Sequence, residues 1–134
     1  MYTAIYPEKR GFVPYDRDQY LLYLNEQAVT YTPEEVIEGE EVSERTPIKG
    51  FSYTGELEDG GTLIKATFAT YDAFVAGLIR KQYSADEVEA LNSNMILAMR
   101  ESENERAEEF TQRWEEFQSY REDCKEKARA VLNL

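Results

Sequence analysis

The chain is 134 residues long, enough for one domain with its own core but short enough that an extended shape would have to lean on other subunits. Its 15 Lys and Arg stand against 27 Asp and Glu, and the resulting net charge of -12 repels phosphate backbones and anionic lipid, so direct nucleic-acid or membrane binding is disfavoured. One cysteine and no histidine remove intrachain disulfides, Cys/His zinc sites and His-dependent catalysis together, while 42% hydrophobic and 13% aromatic residues are too many for a disordered acidic tail.

The opening MYTAIYPEKRGF lacks the apolar core of a signal peptide, and no stretch approaches the ~20 apolar residues of a membrane span, so residence in the cytoplasm is the expectation. Residues 1–19 mix Tyr2, Ile5 and Tyr6 with Pro7, Gly11 and Pro14, which predicts one short strand followed by an irregular path. Asp16 and Asp18 are close enough in sequence to converge on a cation, but no third acidic ligand or glycine-bearing loop follows; a solvated turn or helix cap explains them better. From 20 to 31, YLLYLNEQAVTY reads as a strand, a turn at Asn25-Glu26-Gln27 and a second strand, with a short helix over 17–24 as the competitor.

The stretch 33–47 carries six glutamates between Glu34 and Glu44 with only Val36, Ile37 and Val42 as apolar anchors, which predicts a solvated acidic loop. An acidic flap for a basic partner is the sharper alternative, resting on charge alone. Over 48–68, Phe51 and Tyr53 alternate with Ser52 and Thr54, then Asp59-Gly60-Gly61 supplies turn chemistry and alternation resumes, the pattern of a β-hairpin. Glu56, Glu58 and Asp59 crowd that loop and no Lys-Ser/Thr follows it, which argues against a phosphate cradle.

At Thr70 the period changes to that of a helix. Tyr71, Phe74, Val75, Leu78 and Ile79 form one apolar face, with Thr70 as N-cap. Ser84 and Glu87 then make a capping box, flanked by Tyr83 and Val88 as a hydrophobic staple; the helix they open presents Val88, Leu91, Met95 and Met99, widened by Ile96 and Leu97. The last third carries Phe110, Trp114, Phe117, Arg121, Cys124, Ala128 and Val131 at alternating steps of four and three, a coiled-coil-like seam that demands a helical partner. Only Arg121 interrupts it, and Tyr120 is placed to cover the gap.

Between the two helical patterns lies RESENERAEE, charged on every side. Either one helix runs over 85–131, roughly 70 Å, or it breaks near Ser102, where Ser102 and Glu105 offer a second capping box, and folds back as a helical hairpin. Against the break, the segment has neither glycine nor proline. The hairpin is preferred because it lets Val88, Leu91 and Met95 cover Trp114 and Phe117 within one chain. Glu109–Arg113 and Asp123–Lys127 are expected as ion pairs on the solvated face. Cys124 on the seam reads as a small buried residue, not a nucleophile.

The expected fold is thus α+β: an N-terminal antiparallel β portion over 1–68, then three helices over 69–134, packed as a single domain. The runs YTGELEDGGTLIKA at 53–66, YDAFVAGLIRKQYSADE at 71–87 and W..FQ.YRE.CK..A..VL from Trp114 resemble small proteins of phages and prophages in Bacteroides-type gut bacteria. The terminal helix is also similar in pattern to the C-terminal segments of phage tail-fibre assembly and tail appendage proteins. The resemblance implies a virion component or assembly factor, present in the bacterial host cytoplasm during assembly, whose partners are other phage proteins, and it brings no catalytic residue with it.

Under this reading the protein is non-catalytic and without cofactor or metal. It is expected to form a homo-oligomer, with Phe110, Trp114, Phe117, Tyr120, Phe51 and Tyr53 as the contact or core residues. Two alternatives come from other classes. An acidic inhibitor that mimics nucleic acid would need carboxylates spaced like phosphates along one face. An enzyme built on carboxylates alone, as in glycosidases, would need an acid on an apolar surface, and none is predicted there.

Overall fold

The computed structural model describes residues 1–32 and 47–134, so the acidic stretch expected over 33–47 lies, apart from Pro47, outside the described residues. Among the described residues six strands precede three helices, giving the expected α+β class: β1 (Tyr2–Tyr6), β2 (Phe12–Asp16), β3 (Gln19–Tyr23), β4 (Gln27–Tyr31), β5 (Ile48–Gly55), β6 (Gly61–Lys65), α1 (Tyr71–Arg80), α2 (Ala85–Arg100) and α3 (Ala107–Leu132). All strand pairs are antiparallel, in two three-stranded sheets of order β1-β5-β4 and β2-β3-β6.

The strands correct the sequence reading in two places. The first 19 residues hold two strands, not one. β2 contains Pro14, which cannot donate to a ladder, but β2 is an edge strand and its register is irregular between Pro14 and Asp16, the setting in which proline is tolerated. β2 and β3 form a hairpin, and within its turn Asp16 Oδ1 accepts the Arg17 N–H at 2.6 Å. This strand excludes the competing helix over 17–24. The turn expected at 57–61 also forms: Gly60 adopts φ 82° and its N–H donates to the Leu57 carbonyl at 2.9 Å. The strands on either side do not pair with one another, however. β5 already has β1 on one edge and β4 on the other, so β6 crosses to pair with β3.

The helical boundaries follow the local signals. Thr70 Oγ1 accepts the Ala73 N–H at 3.3 Å, and the Ser84–Glu87 capping box is complete, with bonds of 3.1 and 3.3 Å. The chain does break between α2 and α3, and the two helices pack on each other as a hairpin. The cap is not the expected Ser102–Glu105 box. Instead Asn104 turns the chain just before α3, its Oδ1 accepting the Arg106 N–H at 2.9 Å, and Arg106 precedes the helix without any side-chain cap. An asparagine can turn the chain through its own backbone, so neither glycine nor proline is needed.

One apolar cluster unites strands and helices. It joins Leu22, Leu24 and Ile64 to Phe74 and Leu78 of α1 and to Phe117, Cys124 and Ala128 of α3. Phe74 meets the rings of Phe12 and Tyr20 edge-on, each centroid 5.3 Å away. At the far end Gly11 lies against the Val131 carbonyl, where any side chain would collide with it. No helix among the described residues is long and apolar enough to cross a membrane.

Candidate interaction surfaces

The seam of α3 is spent largely inside the chain. Phe110, Phe117, Cys124, Ala128 and Val131 are buried, Trp114 and Tyr120 are half-buried, and Arg121 is exposed. Phe117 stacks edge-on with Tyr83 at 5.0 Å, and Tyr83 in turn lies 5.5 Å from Tyr120. Tyr120 donates its hydroxyl proton to the Leu78 carbonyl at 2.9 Å, so it covers the gap at Arg121 by reaching across to α1. Burial first, and then the neighbouring Cys124, raise the Tyr120 pKa, which keeps the hydroxyl a donor. Phe110 sits under the Arg106 guanidinium at 4.6 Å. Of the four aromatic contact candidates on α3, only Trp114 and Tyr120 therefore keep surface for a partner.

Phe51 and Tyr53 lead to a feature that sequence reasoning missed. Tyr53 is fully buried; its hydroxyl donates to Glu26 Oε1 at 2.7 Å and accepts the Arg10 N–H at 2.8 Å. Arg10 lies over the Tyr6 and Tyr23 rings at 4.4 and 4.5 Å and reaches the Tyr23 hydroxyl at 3.1 Å. Tyr23 donates to Asp59 Oδ2 at 3.0 Å, and Tyr6 donates to the Asp59 carbonyl. Burial raises the pKa of all three tyrosines, with Asp59 adding to the effect at Tyr23 and Glu26 at Tyr53. The cluster thus fastens one sheet to the other through neutral phenols around one cation. Its parts are far apart in sequence, and nothing local marks them. Phe51 is half-buried, with Lys9 Nζ 5.5 Å from its ring centre.

The residues considered for chemistry have structural partners. Asp59 Oδ1 accepts the Gly61 N–H at 2.9 Å, filling the loop that a phosphate would need. Cys124 is buried, and burial pushes its thiol pKa up. Among the described residues, no three His, Cys, Asp or Glu side chains are grouped to hold a metal ion.

On the outer side of α2 the situation reverses. Only Ala98 of this helix is buried, whereas Ile96 is 57% and Met99 72% exposed, with Leu97 beside them. The sequence pattern places Met99 on one stripe with Val88, Leu91 and Met95, widened by Ile96 and Leu97; Val88 and Leu91 do pack on the core and Met95 is half-buried, but Ile96, Leu97 and Met99 are exposed. The two ion pairs expected on α3 form, Arg113 to Glu109 at 2.7 Å and Lys127 to Asp123 at 3.0 Å, and a third joins Lys125 to Glu122 at 2.8 Å. No protein-family model, curated protein or solved structure matches the chain.

Proposed function

We propose that this chain is a non-catalytic structural or assembly protein of a phage or prophage particle, associated with the tail or tail fibre. It works through contacts with other phage proteins and with copies of itself, in the host cytoplasm during assembly and in the virion if it stays with the particle. The observation that carries this reading is the apolar surface of Ile96, Leu97 and Met99 left in water on a chain that buries its other helical seam. Because α3 is already covered by α1 and α2, the contact surface falls on the outer face of α2, with Trp114 and Tyr120 as secondary candidates. An assembly factor with a folded-back helical hairpin suits this arrangement better than a long helical subunit. The nucleic-acid mimic is the weaker reading, since Glu109, Glu122 and Asp123 are each held by a neighbouring base and part of the acidic surface of α3 is neutralised.

The test is the absolute mass in solution by light scattering, alongside affinity capture from phage-infected cells, for the native chain and for an Ile96→Glu/Met99→Glu double variant. The expected result is self-association or retention of a phage tail protein by the native chain, lost in the double variant. A native chain that stays monomeric and retains no phage protein overturns the reading.

A further inference from the structure

A concavity of about 560 Å³ runs along α1 beside α2 and α3, floored by Val75, Ile79, Val88 and Phe117. Its charged lining is Arg80, Arg121 and Lys125 against a single acid, Asp72. The whole chain has 15 basic and 27 acidic residues, so the balance is inverted here. Lys125 is tied to Glu122, but Arg80 and Arg121 are exposed and make no ion pair among the described residues. Arg129 adds to the field from the rim, its guanidinium 5.5 Å from the ring centre of the groove residue Tyr71. The lowered pKa of Glu122, caused first by Lys125 and then also by Arg121 and Arg129, reports the same positive potential. Another cleft of mixed charge, beside the end of α3, differs: its Lys9 and Lys127 are engaged by Glu26 at 3.7 Å and Asp123 at 3.0 Å, and its Arg10 by the Tyr6 and Tyr23 rings.

We propose that the α1–α3 groove docks an acidic segment of a partner protein, with carboxylates on Arg80 and Arg121 and apolar side chains resting on Val75, Ile79 and Val88. Lining residues extend from Tyr71 to Arg80, the whole length of α1. At 1.5 Å per residue that is roughly 14 Å, the reach of about four extended residues. A short acidic peptide puts its charge only where the groove is positive; a long polyphosphate would also meet the acidic surface around it. The inference names a partner chemistry for the protein-contact role proposed above and rests on it, but it uses a different face of the molecule from Ile96 and Met99.

The experiment is fluorescence anisotropy of a labelled peptide of alternating glutamate and leucine, its lysine counterpart and a thymidine oligonucleotide, against the native chain and an Arg80→Glu/Arg121→Glu variant. Both arginines are exposed, so the variant keeps the fold, and circular dichroism verifies it. The acidic peptide is expected to bind the native chain at least about tenfold more tightly than the lysine peptide, more weakly as salt is added, and to lose about tenfold on the double charge reversal. Equal binding of the two peptides, or an acidic peptide indifferent to the reversal, overturns the proposal, and tighter binding of the oligonucleotide reassigns the groove to nucleic acid. Any of these results alongside intact capture through the α2 face would remove the groove proposal alone.

Discussion

Helices α2 and α3 are neighbours in sequence and pack on each other, yet they are stabilised in opposite ways. α3 buries Phe110, Phe117, Cys124, Ala128 and Val131 along its length, and its start has no side-chain cap. α2 buries only Ala98 and opens with a complete capping box. A helix whose face is covered on two sides by tertiary structure can dispense with strong local signals, whereas a helix packed on one side depends more on them. The difference also separates stability from interaction: α3 is the chain's internal support, and α2 is the part with surface left over.

The comparison is broken most severely at Phe117, where the core, Tyr83 and the α2 staple meet. Phe117→Ala should cost about 3–5 kcal/mol by the combined loss of burial and the cavity left behind, read as a fall in the urea midpoint.

Tyr120→Phe sharpens it by removing the hydroxyl that bonds the Leu78 carbonyl. The expected cost is about 1–2 kcal/mol at neutral pH, in part because a carbonyl loses a buried donor. Its pH dependence has a definite sign. The folded pKa of Tyr120 lies above the unfolded value near 10, so the folded state holds this proton more tightly. Stability from this group is fully present below pH ~10 and is lost as pH rises toward the folded pKa. Tyr6, Tyr23 and Tyr53 shift in the same direction and contribute to the same alkaline decline. Urea midpoints measured from pH 8 upward should therefore fall less steeply for Tyr120→Phe than for the native chain; an unchanged alkaline slope would contradict the assignment.

Ser84→Ala has the smallest expected effect, about 1 kcal/mol, read as a lowered thermal midpoint. It should act on α2 selectively: amide exchange over 85–100 should quicken more than exchange over 117–131.

What the sequence made legible follows the range of the interactions. The Ser84 box, the Thr70 cap, the α3 seam and the ion pairs of Arg113 and Lys127 are encoded within a few residues, and each occurs where its pattern placed it. β2 was hidden because Pro14 is a turn signal everywhere except on an edge strand. The pairing of β5 and β6 was misjudged because the turn at Gly60 is local, whereas the choice of ladder partner depends on which edges other strands have taken. Arg10, Tyr6, Tyr23, Tyr53 and Asp59 meet only after both sheets have formed, so no spacing announces them. At the interaction surfaces, the aromatic residues of the seam were visible as apolar but not as internally covered, which depends on how α1 and α2 fold onto α3.

The close approach of Gly11 to the Val131 carbonyl ties the first hairpin of the chain to the last turn of its final helix. Leu22 and Leu24, from the same early segment, share their core with Cys124, Ala128 and Val131. On the ribosome, then, the strands and α1 emerge before the helix that completes their core, and the part of it shared with Cys124, Ala128 and Val131 stays open until α3 has left the exit tunnel. This core closes only once α3 has been made, and slowing synthesis of that helix prolongs the interval in which the strands are exposed to aggregation.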